Sequence, residues 1–120
     1  MSFHCLLDDD KVVIKRALVN QYANDSIIHR DYVEQLCNFV PGTPRYNNVF
    51  DEFTRLVDNM NVTTNLVLRI EEAGLDQSFP LNKNERDCLY KALEAYVSQN
   101  EVKRGSCEWV TAVSLKKQLD

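Results

Sequence analysis

Proline and glycine are almost absent from the interior of this chain's apolar segments, and that leaves it few ways to fold except as helices. All three glycines and all three prolines lie between the segments: Pro41, Gly42 and Pro44 in one cluster, then Gly74, Pro80 and Gly105. The stretches they leave uninterrupted repeat their apolar residues at three- and four-residue intervals, the period of an α-helix with one buried face. An all-α fold follows. The expected architecture is one compact domain over residues 1–120, with 1–7 loosely ordered and five to six short helices in an orthogonal or bundle-like array.

The caps set the expected boundaries. Asp8 opens the first helix, with Asp9 and Asp10 where the helix dipole favours anions. Val13, Ile14, Ala17, Leu18 and Tyr22 form its inner stripe, and Asn24 is the expected left-handed stop. Asp25 or Ser26 caps a second helix carrying Ile28, Tyr32, Val33, Leu36 and Val40, which ends before Pro41 because proline disfavours helical torsions in the preceding residue. Asn47 or Asn48 opens a third through Phe50, Phe53, Leu56, Val57 and Met60. Thr63 or Thr64 opens a fourth through Leu66, Val67 and Ile70, closed by Gly74 with Leu75 folded back.

Asn82 and Glu85 have the spacing of a capping box for the fifth helix, whose inner face is Leu89, Ala92, Leu93, Tyr96 and Val97. Ser106 caps the last helix, with Trp109, Ala112, Val113 and Leu119 inward and Lys116-Lys117 at the negative end of its dipole. Residues 62–68 and 107–115 each carry a rival reading as a short strand, the second because Cys107, Trp109, Thr111, Val113 and Leu115 alternate.

Composition limits the function classes. The formal charge is −4 and the isoelectric point about 5.1, which lacks the phosphate-neutralising surplus that drives nucleic-acid binding. Acid gathers in the first half of the chain, at Asp8–Asp10, Asp51, Glu52 and Asp58. No stretch is long and apolar enough to span a membrane, and the N-terminus lacks the basic start of a secretory leader. A cytoplasmic protein is expected, with Cys5, Cys37, Cys88 and Cys107 reduced and mostly lining the core.

The residues that carry chemistry do not form a recognisable set. His4 and His29 are the only histidines. A Cys–His arrangement would have to use His29 with Cys37, and a zinc set would need His4, Cys5, His29 and Cys37, without the close ligand pairs zinc usually takes. The adjacent carboxylates point about 100° apart on a helix and make no ready acid–base dyad. No catalytic residue, metal or cofactor is therefore expected.

The six short helices resemble the death-fold group of homotypic interaction domains in architecture. The size and acidity are similar to bacterial immunity proteins and other enzyme inhibitors. The second likeness implies a non-catalytic protein that binds and neutralises a basic toxin or enzyme, as a monomer or homodimer. Arg45, Tyr46, Asp51, Glu52, Asp58, Glu71, Glu72 and Asp76 are the expected contact residues, being polar or aromatic and outside the periodic core. The first likeness implies a self-associating adaptor. A third reading is a small DNA-associated regulator using Lys103, Arg104, Trp109, Lys116 and Lys117 of the C-terminal region.

Overall fold

The computed structural model describes residues 2–3, 7–73, 79–98 and 103–119. Among these the fold is all-α, with four helices: α1 (Asp8–Asn38), α2 (Pro44–Glu72), α3 (Lys83–Ser98) and α4 (Cys107–Leu119). A two-residue antiparallel pairing joins β1 (Ser2–Phe3) to β2 (Phe79–Pro80), with Phe3 opposite Phe79. Among the described residues, no helix is long and apolar enough to cross a membrane.

The expected first and second helices are one helix, and so are the third and fourth. The physical reason is the same at both junctions. Side chains that could have capped a new helix bond back along the existing one. Ser26 Oγ donates to the Tyr22 carbonyl at 2.9 Å, and Asp25 accepts from Gln21 Nε2 at 3.1 Å. Thr63 and Thr64 donate to the carbonyls of Asn59 and Met60 at 2.9 and 3.0 Å. Both strand readings give way as well, since 62–68 lies inside α2 and 107–115 inside α4. The stop expected at Gly74 and Leu75 lies outside the described residues.

Other caps hold the expected atoms. Asn82 Oδ1 accepts from the Glu85 N–H at 2.8 Å, while Glu85 Oε1 accepts from the Asn82 N–H at 3.1 Å. Ser106 Oγ accepts from the Trp109 N–H. At the start of α1 the capping residue is Leu7, not Asp8, and the Asp10 carboxylate accepts the Leu7 N–H. The α1–α2 turn is built by Gly42, whose φ of +88° suits a residue without a side chain. Thr43 then caps α2, with Pro44 in the first turn, where its missing N–H costs nothing.

α1 and α2 form a long antiparallel hairpin, and α3 and α4 cover one face of its proximal half. The molecule measures 52 × 29 × 23 Å. Its core gathers Val13, Ile14, Ala17 and Leu18 of α1, Leu66 and Ile70 of α2, Leu89, Ala92, Leu93 and Tyr96 of α3, and Ala112, Leu115 and Leu119 of α4. Phe79 and Leu81 close one end. Burial stops abruptly along the hairpin. Asp25 and Thr63 are the last buried residues on α1 and α2, and none of residues 26–62 is buried. We call the covered half the body and residues 26–62 the arm.

The core expected from sequence holds for most of the body, though Val67, Val97, Trp109 and Val113 are only half-buried and buried Leu115 lies outside the expected inner face, and it fails in the arm. Ile28, Val33, Val40 and Phe50 are exposed, as is Tyr22 just below the junction. Tyr32, Leu36, Phe53, Leu56, Val57 and Met60 are half-buried along the α1–α2 seam. The cysteines also depart from expectation: Cys37 and Cys107 are exposed, Cys88 is half-buried, and Cys5 lies outside the described residues.

Candidate functional site

Two surfaces of the hairpin merit a functional reading, one on each side. The first is a polar cleft of about 770 Å³ where α3 passes the arm, lined by Gln21, Asp25, Asn59, Asn84, Cys88 and Lys91 among others. Asp25 is only 7% exposed. Burial pushes its carboxyl above the usual aspartate range, against the pull of Gln21 and Lys91. Burial likewise pushes the Cys88 thiol up, helped by the Asp25 and Glu85 carboxylates. Because Thr63 Oγ1 already gives its proton to Asn59, the 3.1 Å contact to Cys88 Sγ uses the thiol as donor. Asp25 and Cys88 are thus both drawn toward their neutral, hydrogen-bonded forms, which suits a structural junction.

His29 does not meet Cys37. Eight residues of one helix separate them by about 12 Å along its axis, and the His29 ring packs on Phe53 at 4.9 Å. Among the described residues, no three His, Cys, Asp or Glu side chains are placed to hold a metal ion.

The second surface is the hairpin face turned away from α3 and α4. On α1, Val19, Ser26 and Val33 recur every seven residues, with Tyr22 and His29 between them; Val12 continues the register to where it lines a pocket with Cys107, Glu108 and Thr111 of α4, and exposed Val40 follows the end of the helix. On α2, Phe50, Val57 and Thr64 repeat at the same interval, with Leu68 continuing the stripe. A seven-residue repeat keeps side chains on one side of a helix over many turns, as in the contact seams of coiled coils. Val57 and His29 are half-buried in the α1–α2 seam, but the others are not spent on the fold. Val19 is 55% exposed, Val40 68%, Phe50 47% and Leu68 53%. Where the two helices meet, Val19, Tyr22, Thr64, Val67 and Leu68 line a shallow groove of about 320 Å³.

The sequence-derived contact residues do not form one patch. Arg45 and Tyr46 lie at the arm's tip, the guanidinium 5.6 Å from the Phe39 ring and Tyr46 stacked on Phe50. Asp51, Asp58 and Glu72 are exposed and fall at seven-residue register on α2, along one edge of the uncovered face. Glu52 turns toward α1, where its carboxylate adds to burial in pushing the Tyr32 hydroxyl's pKa up. Glu71 pairs with Lys15 at 2.9 Å across the hairpin. Asp76 lies outside the described residues.

Two of the basic C-terminal residues have aromatic partners within the molecule. Arg104 lies 5.9 Å over Trp109, and Lys116 lies 5.4 Å from the Tyr90 ring.

The uncovered face escaped sequence reasoning for one reason. Placing a helix end at Asn24–Ser26 cut the valine repeat in two and hid its unbroken phase from Val12 to Val33. That phase was the available signal. No protein-family model, curated protein or solved structure matches this chain.

Proposed function

We propose that this chain is a non-catalytic protein-binding domain and that it docks its partner on the uncovered face of the α1–α2 hairpin. The observation that carries the proposal is the apolar repeat on that face. A helical pair that leaves a stripe of valines, Phe50 and Leu68 in water at heptad spacing has the form of half a helix bundle. Exposed apolar surface of that extent marks interaction sites in soluble proteins.

A second reading concerns the partner's charge. Asp51, Asp58 and Glu72 line one edge of the face, which favours a basic surface opposite and supports an inhibitor- or immunity-type protein that covers a basic site. The adaptor reading shares the docking face but loses its architectural likeness, since the death-fold comparison rested on six short helices and four are described here.

Site-specific photocrosslinking tests the docking face. A photoreactive residue at Val33 or Val57 is expected to give discrete protein adducts in cells making the chain. The same residue at the exposed Ser114 of α4 serves as control. Adducts no stronger at 33 and 57 than at 114 would overturn the proposal.

A further inference from the structure

We infer that the partner on this face is a second copy of the chain, the two hairpins stacking into a four-helix layer with their tips at the same end. This rests on reading the uncovered face as the docking face. The argument for a like partner comes from the two edges of that face. Along the α1 edge, Asp9, Arg16, Ala23, Arg30 and Cys37 recur every seven residues; along the α2 edge, so do Asp51, Asp58, Asn65 and Glu72. Asp9 and Arg16 sit against α4, whereas in the arm the α1 edge presents Arg30 and the α2 edge Asp51 and Asp58, so a basic and an acidic edge flank the exposed stripe there. Such a surface is complementary to itself when turned by half a turn.

The charges also choose the symmetry. A twofold axis parallel to the helices sets α1 of one copy antiparallel to α2 of the other, bringing basic edge against acidic edge at both sides. His29 packs on Phe53 and Lys15 pairs with Glu71 across the hairpin, which fixes the level of each residue along it. At those levels Arg30 of one copy falls between Asp51 and Asp58 of the other. Arg16, which also holds Glu108 in its own chain, falls between Asn65 and Glu72. A twofold axis across the helices would instead set the acidic α2 edges against each other, and like charges in that position oppose assembly.

Size and sterics agree with this arrangement. Val12 to the end of α1 at Asn38 is about 40 Å of helix and two helices side by side are about 20 Å across. The face is therefore about 800 Å² per copy, the size that a stable, specific interface buries on each partner. α3 and α4 pack on the body, α4 reaching the Val12–Arg16 end of the α1 edge, and the arm that carries Val33 and Phe50 extends beyond both.

Sedimentation equilibrium on the full chain is the test. A mass of twice 13.9 kDa is expected at micromolar concentration. Val33→Asp is expected to weaken the dimer at least about a hundredfold, since each copy would bury an unpaired carboxylate, while circular dichroism confirms that the exposed site leaves helicity intact. Arg30→Asp is expected to weaken it about tenfold through two symmetry-related contacts. Combining Arg30→Asp with Asp51→Arg and Asp58→Arg is expected to restore it.

A monomer at 100 µM, or a dimer indifferent to Val33→Asp, would overturn the inference. Failure of the triple variant to recover affinity would overturn the tips-together arrangement. Photocrosslinking separates this inference from the reading it rests on. An adduct at position 33 of a mass other than twice the chain's leaves the docking face standing and removes the second copy.

Discussion

The two halves of the α1–α2 hairpin are made of the same helices and have opposite relations to water. In the body, Ile14, Leu18, Leu66 and Ile70 are fully buried beneath α3 and α4. In the arm, side chains of the same kind, at Val33, Val40 and Phe50, stand exposed. Local sequence does not separate the halves, because both carry apolar residues at helical spacing. Coverage separates them. An amphipathic helix gains most of its stability from what packs on it, so the body supplies the stability and the arm supplies a surface.

The largest effect that sharpens this contrast is expected in the body. Leu66→Ala should cost about 2–5 kcal/mol, the range for emptying a fully buried leucine site, seen as a lower midpoint in urea unfolding. A loss near zero would mean that the body core is not what holds the hairpin.

The junction comes next. Burial raises the Asp25 carboxyl's pKa in the folded protein, so the native state prefers it protonated. Its favourable contribution is complete below the unfolded aspartate pKa of about 4 and is lost as pH rises through the raised folded value. Asp25→Asn mimics the protonated form and keeps the Gln21 contact. It is expected to raise the thermal midpoint at pH 7 by a few degrees, with the gain shrinking toward pH 4. A variant less stable than the parent at pH 7 would show that the ionised carboxylate holds the junction together.

A smaller effect of opposite sign is expected at Glu108 of α4, which accepts from Tyr96 Oη at 2.9 Å and from Arg16. Those two donors, Tyr96 first, hold its carboxyl below the usual range. Stability from this group is therefore present above the unfolded glutamate value and lost as pH falls through the depressed one. Glu108→Gln should lower the thermal midpoint slightly at neutral pH and match the parent in acid. Scans at both pH values decide it.

The smallest effect belongs to the arm. Val33→Ala and Val40→Ala are expected to leave the monomer's unfolding free energy within about 0.5 kcal/mol, as for surface positions generally. A loss comparable to Leu66→Ala would erase the distinction between the halves.

Much of the body could be read in the chain itself. The Asn82–Glu85 box, the Ser106 cap and the inner faces of α3 and α4 follow from residue type and spacing, because their partners lie within four residues. The continuity of α1 and α2 does not follow in that way. A serine, threonine or aspartate offers its side chain equally to a new helix start or to the turn behind it. Thr63 and Thr64 resolve that choice beside contacts distant in sequence: Leu18, Val19 and Tyr22 of the facing helix at both, and Cys88 of α3 at Thr63. The expected binding residues met the same limit. Asp51 and Asp58 fall beside the exposed stripe, whereas Glu52 and Glu71 are engaged within the hairpin, and only the register of one helix against the other separates the two cases.

The unbroken helices have a consequence for how such a chain can change length. One residue inserted between Val19 and Val33 would rotate everything beyond it by about 100° about the α1 axis and scatter the valine row. Seven residues added to each helix of the arm would lengthen it by about 10 Å and return every side chain to its original bearing. Tolerated insertions and deletions should therefore come in matched multiples of seven across the two helices, with the turn at Pro41–Gly42 free to accept other lengths.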